Sequence, residues 1–340
     1  MSASYRWIHR VWYGDAVSGL ILLPLSGIYW AVLQIRRLLF RYGLIRIHKV
    51  AVPVVIVGNI TAGGTGKTPT VLWLVEALRA RGFTPGIVSR GYGGSHSGTS
   101  MRVDADSAAS VVGDEPVLLA KRGKCPVAVD SDRVRAANML IEDGVDVVIA
   151  DDGLQHMRLH RDYEICVIDA SRGLGNKRLL PAGPLRESAR RLQSVDLILS
   201  NGGTIDLAAL EIDATGFELQ AGDATRLNAS LARPLQGFKG TTVHAVAGIG
   251  NPDRFYDLLR GYGIQVIEHS LKDHAAITSS QLNFGDNFNV FMTEKDAVKL
   301  QRNANDKFWY VPVDLKIDSS ISTNIINDIE FRIREVSGVV

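Results

Sequence analysis

Residues 53–79 read PVVIV, then GNITAGGTGKTP, then TVLWLVEALR, and the order of strand, glycine-rich loop and helix is legible in the residue types. Pro53–Val57 is a short β-branched run of the kind that forms a parallel strand buried on both faces. From Thr70 to Arg79, Leu72, Val75 and Leu78 recur at helical spacing. Between them, Gly63, Gly64, Thr65 and Gly66 allow successive backbone N–H groups to converge on phosphate oxygens at the positive end of the helix dipole. In that context Lys67 reaches the β- and γ-phosphates of a nucleotide, and the Thr68 hydroxyl ligates Mg²⁺. The general phosphate-loop pattern has glycine six positions before the lysine, where this chain has Thr61. Nucleotide binding by an α/β domain with a P-loop NTPase-type parallel sheet is the expectation.

The remaining chemistry-bearing stretches are read outward from that loop. Val145–Ala150 (VDVVIA) has the residues of a second buried strand and runs into Asp151-Asp152-Gly153-Leu154-Gln155-His156. A carboxylate at the C-terminal end of a strand beside the P-loop strand holds or orients Mg²⁺, and Asp152 is assigned that task. Adjacent aspartates on a strand point to opposite faces, so the two are expected to serve different purposes. Gly113-Asp114-Glu115-Pro116 opens an apolar helix at Val117–Ala120; taken alone, Asp114 reads as its N-cap and Pro116 as an early helical residue. Arg90-Gly91-Tyr92-Gly93-Gly94 follows a strand at Gly86–Ser89 and reads as a flexible loop carrying one cation and one phenol. His244–Ala247, a glycine turn and Arg254–Leu259 read as strand, turn and helix, opening a second, smaller α/β domain.

Composition bounds the rest. With 46% hydrophobic and 22% charged residues over 340 positions, the body is that of a globular protein of two domains. Cys125 and Cys166 lie in apolar stretches without metal-ligand spacing and read as core thiols of a protein in a reducing compartment. Residues 1–49 carry seven cations against Asp15 alone, a net of +6, which leaves −4 for the remainder of a chain whose total is +2. The basic excess therefore belongs to the N-terminal segment, and nucleic-acid binding by the body has no support. Ala16–Leu33 is uncharged over 18 residues; as a helix it would measure roughly 27 Å, with Pro24 in its middle and basic residues and Trp7, Trp12, Tyr13, Tyr29 and Trp30 around it. A spanning helix, a buried core helix and a kinked helix dipping into one leaflet onto anionic head groups all remain open readings. Both membrane readings put the body on the cytoplasmic face, where ATP is.

Taken together, GNITAGGTGKTP (58–69), SRGYGG (89–94), GDEP (113–116), DDGLQH (151–156), LLPAGPLRE (179–187), AGIGNPDRF (247–255), DH (273–274) and TEKDAVK (293–299) resemble the lipid A tetraacyldisaccharide 4'-kinase family, in the family's order. Thr61 agrees with that family. The resemblance implies transfer of the ATP γ-phosphate to the 4'-hydroxyl of a tetraacylated glucosamine disaccharide 1-phosphate embedded in the membrane. It also implies a smaller α/β domain hinged to the P-loop domain, and an N-terminal helix on the bacterial inner membrane, monotopic or single-helix anchored. By the same resemblance Asp114, supported by His274, accepts the hydroxyl proton, and Tyr92, Arg133 and Arg186 are further candidates for substrate or phosphate contacts. No obligate protein partner is evident. The expected division is 1–48 for the membrane-associating helix, 49–205 for the kinase domain and 206–340 for the smaller domain, the last helix being free to pack back on the first. A GTPase would want [NT]-K-x-D for guanine; the nearest stretch, Thr293-Glu294-Lys295-Asp296, has Lys and Asp adjacent. A tethered ATP-binding module without a substrate is the other rival, and no transporter-type signature loop supports it.

Overall fold

The computed structural model describes residues 3–14, 17–96, 98–228, 231–272, 275, 277–300 and 305–338. The chain opens with helix α1 (Ala3–Tyr13), a 3₁₀ segment (Val17–Leu22) and helix α2 (Leu23–Arg41). The apolar run is thus divided. Pro24 stands in the first turn of α2, where its missing N–H leaves no helical acceptor wanting, so it starts a helix instead of kinking one. The polar residues of α2 dock it on the body: Ser26 Oγ donates to Leu179 O (2.9 Å), Tyr29 Oη to Arg186 O (2.9 Å), and Arg37 pairs with Glu187 at 2.8 Å. Trp12 Nε1 of α1 donates to Pro181 O at 2.9 Å. The opposite face of α2 leaves Leu25, Ile28, Val32 and Ile35 exposed, and Gly19–Arg41 is long and apolar enough to cross a membrane.

The β-branched runs form strands β1 (Val54–Gly58), β2 (Pro85–Ser89), β3 (Met101–Arg102), β4 (Val127–Val129), β5 (Val147–Asp151), β6 (Tyr163–Asp169), β7 (Leu197–Asn201) and β8 (Thr215–Ala221). A second set comprises β9 (Ala224–Arg226), β10 (Ala232–Arg233), β11 (Thr242–Ala247), β12 (Gln265–Ser270), β13 (Asn289–Thr293) and β14 (Phe308–Val311), after which β15 (Val313–Lys316) returns to the first sheet. The large sheet has the order β15-β8-β7-β6-β1-β5-β2-β4-β3. It is parallel except at its edges, β15 on β8 and β3 on β4. The smaller sheet has the order β10-β9-β14-β13-β11-β12.

Strand β1 is buried along its whole length because helices cover both faces of the sheet; Val55 and Val57 face one cluster of buried residues, and Val54 and Ile56 the other. Helices α3 (Lys67–Ala80), α4 (Ala109–Val112), α5 (Asp114–Gly123) and α6 (Arg133–Glu142) belong to this unit, and α7 (Pro252–Gly261) and α8 (Glu294–Ala297) to the second. The last helix, α9 (Ser319–Ser337), seats Ile325, Ile326, Ile329 and Ile333 in the same cluster as Val71 and Leu74 of α3. Arg81–Glu330 (2.7 Å) and Tyr163 Oη to Asp328 (2.7 Å) fasten it there.

The boundary drawn at 205/206 does not coincide with the division between the sheets. Without β8 the edge of β7 would present unpaired backbone groups; β8 pairs with it in parallel from Leu199↔Thr215 onward, and β15 extends the sheet further. The chain passes between the two sheets after Ala221 and again at Pro312, where Gly222 N–H donates to Pro312 O at 2.9 Å. Asp114 also differs from the expectation formed on its local sequence. The N-cap of α5 is Gly113, at φ +93°, and Asp114 is the first helical residue.

Candidate active site

The glycine-rich loop leaves the C-terminal end of β1 and turns into α3 at Gly66. Gly63 and Gly66 both sit at φ +102°, a region closed to most side chains, so the winding of the loop depends on glycine at both positions. An anion is favoured at the start of α3 by the helix dipole. The stretch 179–187 braces the arm of the loop: Ala62 N–H donates to Pro184 O (2.8 Å) and Arg186 N–H to Ile60 O (2.7 Å). Asn201, at the end of β7, donates from Nδ2 to Thr65 O at 3.0 Å.

In the next strand Asp151 pairs in register with Val57, which brings the aspartate pair beside the loop. They diverge as expected, though a turn separates them and not strand alternation alone. Asp152 takes φ +51°, a left-handed conformation that aspartate tolerates at some cost and that tends to persist at functional sites. Its carboxylate lies 3.4 Å from Lys67 Nζ and accepts from Arg186 Nη1 at 3.0 and 3.2 Å. Burial pushes its proton affinity up, but Lys67 and Arg186 outweigh that and hold it at about 2. Asp151 accepts from Ser89 Oγ at 3.3 Å; burial first, then the charges of Glu115 and Asp152, push it up to about 7.

Thr68 is half-buried in the first turn of α3. Among the described residues there is no cluster of three or more His, Cys, Asp or Glu side chains able to enclose a metal. A hydroxyl and one ionised carboxylate, completed by the phosphate oxygens of a nucleotide, is instead the kind of donor set that suits Mg²⁺, a hard ion that is seldom held by an all-protein cage. Gly63, Gly64, Thr65, Gly66, Lys67, Thr68 and Asp152 therefore converge. Arg133 is buried in the same region, under the influence of Arg90, Asp152 and Asp151; burial and Arg90 lower its pKa, and its Nε has no hydrogen-bond partner among the described residues. Arg186 is engaged with Asp152. Tyr92 stands on the exposed loop after β2, 62% accessible.

The second unit approaches from above. A Cβ on Gly250 would lie 2.5 Å from Gly64 N, so the loop after β11 is in close contact with the phosphate loop. Arg172 bridges the two by donating to Gly64 O and, at 3.4 Å, to Gly250 O, while its Nε is held by Asp169 at 3.2 Å. Helix α8 meets α5 through Lys295–Glu115 (2.9 Å) and Arg122–Glu294 (2.6 Å). Asp114 is 5% exposed at this junction, with Lys299 Nζ 3.4 Å away. His274 lies outside the described residues. Lys272, on its described flank, places its carbonyl 3.4 Å from a Cβ built on Gly248.

Sequence reasoning missed Arg172, Asp169 and Asn201, which sit in stretches with no motif spacing, and it missed Gln155, although Gln155 lies inside DDGLQH. Gln155 Nε2 donates to Asn59 O (3.1 Å) and Glu187 (2.9 Å). A cleft of about 730 Å³ opens between α2 and the body, walled by Trp30, Ile47 and Met157 and edged by Arg37, Arg161 and Arg190.

Known proteins resemble the chain over nearly its whole length. The family model described as tetraacyldisaccharide-1-P 4'-kinase matches residues 18–330. A tetraacyldisaccharide 4'-kinase of Nitrosococcus oceani is 43% identical over 328 residues, covering 96% of this chain and 95% of its own. One of Alkalilimnicola ehrlichii is 50% identical over 295 residues, 87% and 88% of the two chains. The crystal structure of an LpxK from Aquifex aeolicus in complex with ATP superposes with a TM-score of 0.75 at 27% identity, covering 93% of this chain and all of that one.

Proposed function

The chain belongs to the tetraacyldisaccharide 4'-kinase family, and from that premise we propose how its residues divide the work of phosphorylating the 4'-hydroxyl of a tetraacyldisaccharide 1-phosphate with ATP in lipid A biosynthesis. The observation that carries the reading is the convergence of Lys67, Asp152 and Arg186 at the mouth of the glycine loop.

Phosphoryl transfer asks the protein chiefly for position and charge. Backbone N–H groups of Gly63–Gly66 and the Lys67 ammonium hold the triphosphate. Thr68 and Asp152 would hold Mg²⁺, which when bound neutralises charge on the phosphate oxygens; Arg186 keeps Asp152 ionised for that purpose. Arg133 contributes a second buried cation, and Tyr92 a phenol on the loop facing solvent, to acceptor or phosphate binding. Asp114 accepts the proton of the 4'-hydroxyl, supported by His274. The acceptor's acyl chains, at about 0.8 kcal/mol per methylene, keep it in the bilayer, so the enzyme works at the membrane surface. The polar face of α2 bonded to the body and its apolar face bare support a helix that lies in one leaflet on the cytoplasmic side, since a spanning helix would need lipid around its whole girth. The cleft beside α2 supplies apolar wall and arginines for an acylated, phosphorylated acceptor.

The test is transfer of label from [γ-³²P]ATP into glycolipid by Lys67→Ala. Loss of transfer by at least about a hundredfold, with unchanged circular dichroism, is expected for a group that acts on developing phosphate charge. Normal turnover with an unchanged KM for ATP would remove the assignment.

A further inference from the structure

Lys299 is absent from every role assigned so far, yet its side chain is only 8% exposed and lies between two carboxylates from different halves of the molecule. One is Asp296, wholly buried, three residues back along the same segment, at 2.8 Å. The other is Asp114 Oδ2, at 3.4 Å, at the head of α5 in the first unit. Asp296 is already well served within its own unit: its Oδ2 accepts from Gly248 N–H (2.8 Å) and from Thr293 Oγ1 (2.7 Å). A lysine needed only to satisfy Asp296 would be a costly choice, because burying an ammonium is repaid only where it meets further partners. The partner gained here is Asp114. The other oxygen of Asp114, Oδ1, accepts from Glu115 N–H at 2.9 Å, so the backbone sets one end of the carboxylate and a cation from the second unit faces the other.

The same carboxylate, Asp296, also ties in the loop that presses on the nucleotide site. Gly248 is bonded to it, and two residues on Gly250 abuts Gly63 and Gly64. Lys299 thus stands in a buried line running from the phosphate loop through Gly248 and Asp296 to Asp114, flanked by Lys295–Glu115 and Arg122–Glu294.

We infer that Lys299 is a positioning residue for phosphoryl transfer, orienting the Asp114 carboxylate and keeping it in its proton-accepting form while the second unit is seated on the first. The inference rests on the reading of Asp114 as proton acceptor. Lys299 touches no reacting atom in this account and acts through Asp114.

The experiment compares kcat, KM for ATP and melting temperature for the full chain and for Lys299→Met, Lys299→Arg, Asp114→Asn and Asp114→Asn/Lys299→Met, assayed in mixed micelles. Lys299→Met is expected to lower kcat by about a hundredfold while KM for ATP stays within about threefold, and Lys299→Arg to recover at least about tenfold of that loss. In the Asp114→Asn background the Met substitution should change kcat by less than about threefold, since residues acting as a unit are non-additive. Multiplicative losses in the two backgrounds, or an Arg variant no better than Met, would make Lys299 a structural staple and overturn the inference. A near-normal kcat for Lys299→Met beside a crippled Asp114→Asn would overturn it and leave Asp114 standing; a near-normal Asp114→Asn would instead overturn the reading beneath it. If the Met variant does not fold, Lys299→Gln, which keeps a donor for Asp296 and removes the charge, is read by the same criteria.

Discussion

Replacing Ile28 and Ile35 together by glutamine tests whether the bare face of α2 is what holds the enzyme on lipid. The two side chains lie two turns apart on one face and are 63% and 57% exposed, so they contribute little to the fold, and glutamine preserves helix propensity. Full burial of an isoleucine side chain is worth about 2 kcal/mol. The exposed fractions of the pair therefore represent about 2.4 kcal/mol of membrane transfer on that scale, which at 1.4 kcal/mol per factor of ten is roughly a fiftyfold loss of partitioning. The assay is cosedimentation with vesicles containing anionic lipid, paired with melting temperature and with activity on acceptor dispersed in detergent. The expected result is a drop of at least about fiftyfold in vesicle binding, with melting and detergent activity within error of the parent. Unchanged partitioning would refute the reasoning, and attachment would then have to come from the arginines of α1 and α2 or from the body. A fall in melting temperature would show that this face packs on protein after all.

Two further outcomes follow from the packing and the titration of the core. Ile329→Ala, at a position with no exposure in the cluster that α9 shares with α3, should destabilise the protein by about 2–5 kcal/mol, seen as a lower urea midpoint with Asp152 and Lys67 untouched. Asp151, held protonated to about pH 7 in the fold but ionising near 3.9 when unfolded, leaves the native state with more bound protons between those values. Stability of the nucleotide- and metal-free protein should therefore fall as pH rises from 4 to 7, and Asp151→Asn should flatten that slope in urea titrations; an unaltered slope would assign it to other groups.

How much of this was legible beforehand depends on how local the physics is. The P-loop is a contiguous device: a buried strand, a loop whose glycines permit positive φ, and a helix dipole all arise from neighbours in sequence, so Gly63–Thr68 declared itself from residues 53–79. The same holds for the Asp151–Asp152 pair at a strand end, and for the apolar, basic N-terminal stretch. Pro24 was misread because its meaning depends on whether it falls in a first turn or in an interior, and the 3₁₀ segment ahead of α2 had no periodic signal. Family resemblance, not spacing, raised Asp114 above the cap role its local sequence suggested. What tertiary structure alone decided are the long-range partners. Arg186 is committed to Asp152 across 34 residues, Gly250 presses on Gly64, β8 and β15 close the edge of the first sheet although the chain around them builds the second, and Lys299 reaches Asp114 from far along the chain. Charges and sheet edges pair through space with whatever the topology brings near them, and a sequence records the propensity of each segment without recording which other segment it will meet.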